Sequence, residues 1–88
     1  MMDDATSGGY MVRANIKNAA GVYIGLIDEV SGRFLIVWNR NMNQYPEYDR
    51  SGTDRLYGNF DEACRGAIQA APDAVISETI YYRAPQGG

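Results

Sequence analysis

The fold of this chain is decided by residues 59–72, which read Asn59-Phe60-Asp61-Glu62-Ala63-Cys64-Arg65-Gly66-Ala67-Ile68-Gln69-Ala70-Ala71-Pro72. Six apolar side chains recur at helical spacing and would form one stripe: Phe60, Ala63, Cys64, Ala67, Ile68 and Ala71. Asn59 is placed as an N-cap, because Glu62 follows at the capping-box spacing, and Pro72 stops the helix. We therefore predict one amphipathic helix of about three turns.

Gly66 lies inside this predicted helix, where glycine costs about 1 kcal/mol relative to alanine. Either the glycine has no structural role, or it lets a strand or a partner approach the helix closely. Cys64 is the single cysteine, and its place on the apolar stripe predicts a buried thiol rather than a reactive one.

The remainder of the chain is typical of strands. Alternating or continuous apolar residues predict strands over 10–16, 22–27, 33–38 and 74–83, with a turn over 28–32. Residues 53–57 could add a short strand before the helix, and the third strand could extend to about Met42. Gly25 indicates a bulge or a close backbone approach.

The predicted fold is α+β: an antiparallel sheet of four or five strands with one helix packed across one face, in the order β-β-β-(β)-α-β. One domain would span residues 10–83 between flexible tails at 1–9 and 84–88. One helix covers about two or three strands, so part of the sheet stays open. Candidates for an apolar second face are Tyr23, Ile27, Leu35 and Val37, unless the long loop folds over it.

The composition restricts the function classes. The chain has 88 residues, no histidine and a net charge of −3, and it carries no recognisable catalytic, cofactor or metal-binding motif. We therefore expect neither an enzyme nor a cofactor. One unpaired cysteine, and the lack of a predicted signal peptide or membrane span, favour a cytoplasmic location.

The segment between the third strand and the helix holds the candidate binding residues. Tyrosine, tryptophan and arginine are over-represented in protein-binding hot spots, and Pro46 would stiffen this loop. The predicted partner-binding residues are Trp38, Arg40, Tyr45, Tyr48, Arg50, Arg55 and Tyr57. The structural alternative is that the tyrosines pack over the sheet edge while the arginines pair with Glu47, Asp49 and Asp54.

These observations favour a small, acidic, non-enzymatic protein-binding module. Phage and mobile-element proteins that inhibit a host defence or toxin complex are often of this size, so an anti-defence inhibitor is the leading hypothesis. The alternative is a homo-oligomeric structural or regulatory module, for instance a dimer, that associates through its open sheet face. A single-stranded nucleic-acid binder is less favoured, because the pI near 4.7 opposes phosphate contacts.

Overall fold

The computed structural model describes residues 10–83, which form an antiparallel five-stranded sheet with one α-helix packed against it. This confirms the predicted α+β fold. The elements are β1 (Tyr10–Lys17), β2 (Tyr23–Val30), β3 (Arg33–Trp38), a 3₁₀-helix (Arg40–Gln44), β4 (Leu56–Tyr57), α1 (Phe60–Ala70) and β5 (Val75–Arg83). The strand order across the sheet is β4-β3-β2-β1-β5. The predicted tails at 1–9 and 84–88 lie outside the described residues.

The core lies between α1 and the adjacent face of the sheet. Ala14, Ile27 and Ile36 are aligned across β1, β2 and β3, and all three are buried. Helix α1 contributes mainly small buried residues: Ala63, Gly66, Ala67 and Ala70. Small side chains let the helix lie close to β3 and β4. In the described part of the chain, no helix is long and apolar enough to cross a membrane.

The helix is capped as predicted but buries a narrower stripe. The side chain of Asn59 accepts a hydrogen bond from the Glu62 backbone N–H at 2.9 Å. The helix ends at Ala70, with Ala71 as its C-cap. Cys64 is only half-buried and Ile68 is 45% exposed, because the contact face of the helix is centred on its alanines. The prediction that Ile68 belongs to the buried stripe was therefore wrong, whereas Cys64 is partly buried and packs against the core.

The β2–β3 hairpin is tighter than the sequence suggested. Its turn consists of Ser31 and Gly32, whose φ values of 52° and 79° are typical of a type I′ turn. This turn pairs Val30 with Arg33 and so aligns Ile27 with Ile36. Ile27 is consequently fully buried in the core, and its assignment to the second face was wrong.

Strand β1 does not keep a single face along its length. Its register against both neighbouring strands shifts between Val12 and Ala14. Ala14 joins Ile27 in the core, whereas Val12 is aligned with Asp28 on the other face of the sheet. The strict alternation predicted over 10–16 is therefore interrupted at Arg13.

Gly25 fulfils both readings of the sequence. The β1–β2 register shifts between Ile16 and Lys17, which places an irregularity beside Gly25. A Cβ atom at Gly25 would also stand 2.8 Å from the Val37 carbonyl oxygen and 2.9 Å from Trp38 Cε3. No other residue type fits there without a shift of β3.

Candidate functional site

The segment that follows β3 leaves the sheet at Asn39. The Asn39 side chain accepts a hydrogen bond from the Asn41 backbone N–H at 2.9 Å and caps the 3₁₀-helix. The Asn41 side chain donates to the Tyr23 carbonyl oxygen at 2.9 Å. The prediction that β3 extends to Met42 was therefore wrong, because the chain turns into the 3₁₀-helix at Asn39, where the two asparagine side chains form these hydrogen bonds. The strand proposed over 53–57 is reduced to Leu56–Tyr57.

The segment packs beside α1 rather than on the second face of the sheet. Met42 is buried in the main core, and Trp38, Tyr45 and Tyr48 pack against that core. The alternative that the loop covers the second face was therefore wrong. On that second face, Leu35 and Val37 are half-buried.

Two stacked tyrosines hold the middle of the segment. The rings of Tyr45 and Tyr48 lie 5.2 Å apart at an angle of 30°. The Tyr48 hydroxyl donates to Asp73 Oδ1 at 2.7 Å, and Asp73 Oδ2 accepts from the Ala19 backbone N–H at 3.1 Å. Asp73 therefore joins three parts of the chain: the β1–β2 turn, the long segment and the residues after α1.

The same contacts shift two pKa values. Desolvation, followed by the hydrogen bond to Asp73, raises the pKa of Tyr48 to about 12. The hydrogen bond from Tyr48, followed by that from the Ala19 N–H, lowers the pKa of Asp73. Around neutral pH the pair is thus a phenol that donates to a carboxylate.

A second set of hydrogen bonds holds the end of the segment. Trp38 Nε1 donates to Thr53 Oγ1 at 2.9 Å, and that hydroxyl donates to the Arg50 carbonyl oxygen at 2.6 Å. The Asp49 backbone N–H donates to the Ala70 carbonyl oxygen at 3.0 Å, which attaches the segment to the last turn of α1. These hydrogen bonds join the end of the segment to β3 and to α1.

The arginines of this segment remain at the surface. Arg40, Arg50 and Arg55 are exposed. Arg50 donates to the Asn43 side-chain oxygen at 3.0 Å, and the Arg55 guanidinium lies 4.1 Å from the centroid of the Tyr57 ring. Within residues 10–83 the ion pair is formed elsewhere, between Arg13 and Glu29 at 2.6 Å. The alternative that the segment's arginines pair with Glu47, Asp49 and Asp54 was therefore wrong.

An open groove of about 410 Å³ lies between residues 49–57 and the polar face of α1. Its lining includes Asp49, Thr53, Arg55, Tyr57, Glu62 and Arg65. The groove thus presents two guanidinium groups and two carboxylates around a buried tyrosine. Such a surface suits a polar peptide segment that carries charges of both signs, because the guanidinium groups bind carboxylates and the carboxylates bind cations.

The predicted binding residues divide into two structural classes. Trp38, Tyr45 and Tyr48 are half-buried and Tyr57 is 2% exposed, so these aromatic residues support the segment. The three arginines are exposed at the surface, where Arg50 also bonds to Asn43 and Arg55 lies over the Tyr57 ring. Sequence reasoning missed Glu62 and Arg65, whose signal was their position on the polar face of the predicted helix.

The described residues offer no group of three or more cysteine and acidic side chains that could hold a metal ion. The single cysteine in the chain, Cys64, is half-buried, and desolvation, with Asp61 and Glu78 nearby, raises the pKa of its thiol. This thiol is therefore a weak nucleophile around neutral pH. Comparisons of the chain with protein-family models, with curated proteins and with solved structures give no significant match.

Proposed function

We propose that this chain is a non-enzymatic protein-binding module that presents residues 40–57 to an acidic segment of a partner protein. The observation that carries the proposal is the placement of three exposed arginines on a segment that hydrogen bonds already hold in place. Arginine is enriched in binding hot spots, and its planar guanidinium suits carboxylates.

Preorganisation supports this surface energetically. Binding normally costs about 0.5–1.5 kcal/mol for each rotamer-rich side chain that becomes immobilised. Here the stack of Tyr45 on Tyr48 and the Trp38–Thr53 hydrogen bond order the backbone in advance. Arg55 is also oriented by the Tyr57 ring. On binding, the main loss of conformational entropy would therefore come from the outer arginine side chains.

A module of this kind acts by occupying a surface. We extend the proposal to a cytoplasmic inhibitor, of the type that phages and mobile elements use to block a host defence or toxin complex. The chain's small size and its lack of a recognisable catalytic motif suit this role. An acidic segment of the blocked complex would contact the exposed side chains of Arg40, Arg50 and Arg55.

The experiment is affinity capture from a lysate of source cells or of their infected host, with and without nuclease. We expect a stoichiometric protein partner that survives nuclease treatment. With the purified partner, the variant Arg40→Ala/Arg50→Ala/Arg55→Ala should bind at least about tenfold more weakly. The control is Lys17→Ala/Arg33→Ala, which removes two exposed cations that are not part of the segment.

Two results would reject this proposal. One is capture of nucleic acid, or of proteins that disappear after nuclease treatment. The other is equal loss of affinity in the arginine variant and in the Lys17/Arg33 control, since this would indicate a non-specific charge effect. Replacement of Tyr57 is not a clean test, because this side chain is buried in the core.

A further inference from the structure

Strand β5 forms a long edge of the described sheet. It spans the nine residues Val75–Arg83 and pairs on one side only, with β1. The strand at the opposite edge, β4, has two residues. An edge strand presents unpaired backbone N–H and C=O groups, and natural proteins usually keep such strands short or guard them with proline or lysine. Strand β5 is long and contains neither residue.

The side chains of β5 are unusually apolar for an edge strand. Four of the six large hydrophobic residues that are exposed in the described chain lie on it: Val75 at 55%, Ile80 at 67%, Tyr81 at 42% and Tyr82 at 79%. Glu78 is the one charged residue before Arg83. Between Glu78 and Tyr81, β5 has one residue more than the facing part of β1, so Thr79 and Ile80 form a bulge opposite Arg13, with regular pairs on both sides. The exposed apolar side chains on this edge are typical of a protein–protein interface.

We propose that β5 pairs antiparallel with β5 of a second copy of this chain, so that the sheet continues across the dimer. The two-fold axis would pass midway between the two copies of Thr79, because this register alone aligns every residue of Val75–Arg83 with a residue of the second strand. The two-fold axis also keeps equivalent sheet faces on the same side, as an isologous contact requires. The dimer therefore uses one self-complementary surface.

The side-chain pairs of this register are compatible. The opposed pairs are Ile76 with Tyr82, Ser77 with Tyr81, Glu78 with Ile80, and Thr79 with itself. Pairs of aromatic and β-branched residues stabilise antiparallel strands, whereas opposed like charges destabilise them. A register centred on Glu78 would oppose two carboxylates, so the pattern on β5 disfavours that slip. The side-chain pattern of β5 is thus complementary to itself, which favours a second copy of the chain over an unrelated peptide.

The proposed interface is separate from the arginine-bearing segment. Strand β4, which carries Tyr57, and strand β5 lie at opposite edges of the sheet. The two proposals can therefore fail independently. Loss of self-association need not affect partner capture, and removal of the segment's arginines should leave the dimer intact.

The test is sedimentation velocity of the full chain over a range of concentrations. We expect a reversible dimer. Ile80→Glu would oppose two pairs of carboxylates across the two-fold axis and should weaken the dimer at least about tenfold. The double variant Glu78→Lys/Ile80→Glu replaces these pairs with Lys–Glu pairs and should restore association. Both positions are exposed, and circular dichroism would check that the variants remain folded.

The control variant is Ile68→Glu, which changes an exposed apolar residue on α1 and should leave the dissociation constant unchanged. A wild-type chain that stays monomeric up to millimolar concentration would overturn the proposal. A dimer that tolerates Ile80→Glu would also overturn it, as would failure of the double variant to restore association. If β5 instead pairs with an extended peptide of another protein, the chain alone would sediment as a monomer.

Discussion

The ring of Tyr57 lies directly on the backbone of Gly66. A Cβ atom at Gly66 would stand 2.5 Å from Tyr57 Oη and 2.9 Å from Cζ, both too close for a real contact. Tyr57 is 2% exposed and packs in the core, and both Tyr57 and Gly66 line the groove beside α1. The two residues of β4 are thus held against α1 because the helix has no side chain at this position.

Gly66→Ala should therefore destabilise the protein, although alanine favours a helix by about 1 kcal/mol over glycine. Overpacking a well-packed core typically costs about 1–3 kcal/mol. The gain in helix propensity offsets about 1 kcal/mol of this cost, so we expect a net loss of unfolding free energy of up to about 2 kcal/mol. Urea unfolding followed by circular dichroism would measure it. In a Tyr57→Phe background, which lacks the hydroxyl, the loss caused by Gly66→Ala should be smaller.

The control for this variant is Gly58→Ala. A Cβ atom at Gly58 would come no closer than 3.7 Å to its nearest neighbour, a Glu62 carboxylate oxygen. We expect a small effect there. An increase in stability for Gly66→Ala would show that the Tyr57 ring can move aside and would contradict the proposed role of the glycine.

The N-cap of α1 gives a second prediction. Asn59→Ala removes the acceptor of the Glu62 N–H and should lower the unfolding free energy by about 1 kcal/mol. Asn59→Asp keeps a side-chain oxygen at the same place and adds a negative charge at the positive end of the helix dipole. It should retain most of the stability. Equal losses in the two variants, measured by urea unfolding, would contradict a capping role.

Local sequence signals predicted the local structure well. Asn59, Glu62 and Pro72 fixed the helix, and Gly25 and Gly66 marked two places where the chain packs too closely for a side chain. The errors concern which face of the sheet a residue occupies once neighbouring strands are aligned. Ile27 was assigned to the wrong face because the alternation within one strand does not state how it aligns with the next. The two-residue turn at Ser31 and Gly32 sets that alignment.

The sequence identified the segment that carries the candidate residues but not the role of each side chain. The composition of the segment identified Arg40, Arg50 and Arg55, which are exposed in the structure. The composition could not separate residues that would contact a partner from residues that pack beneath the segment, because tyrosine occurs in both roles. The hydrogen bond from Tyr48 to Asp73 joins residues 25 positions apart, and that from Trp38 to Thr53 joins residues 15 apart. Such pairs depend on the completed fold.

Thr53 supports the end of the segment, and its replacement gives a third prediction. Thr53→Val keeps the shape of the side chain but leaves the half-buried Trp38 N–H without its acceptor. An unsatisfied buried donor costs about 1–3 kcal/mol, and the unfolding free energy should fall by an amount in this range. Trp38 is the only tryptophan, so its fluorescence emission reports on this site directly. Thr53→Ser keeps the hydroxyl and should preserve both the emission and the stability.

The Tyr48–Asp73 pair predicts how stability depends on pH. Tyr48 ionises near pH 10 in the unfolded chain but near pH 12 in the folded one, so its contribution is complete below pH 10 and is lost as the pH rises toward about 12. Asp73 has a lowered pKa, so its contribution is present above the ordinary value of 3.8 and is lost as the pH falls through the folded value.

Urea unfolding of the wild type and of Tyr48→Phe, at neutral pH and through the alkaline range, would measure this dependence. Other tyrosines also ionise in alkali, so the informative quantity is the difference between the two proteins. The advantage of the wild type should shrink above pH 10, because its unfolded state gains an ionisation that the variant lacks. A difference that stays constant to about pH 12 would mean that Tyr48 does not donate to Asp73 in solution.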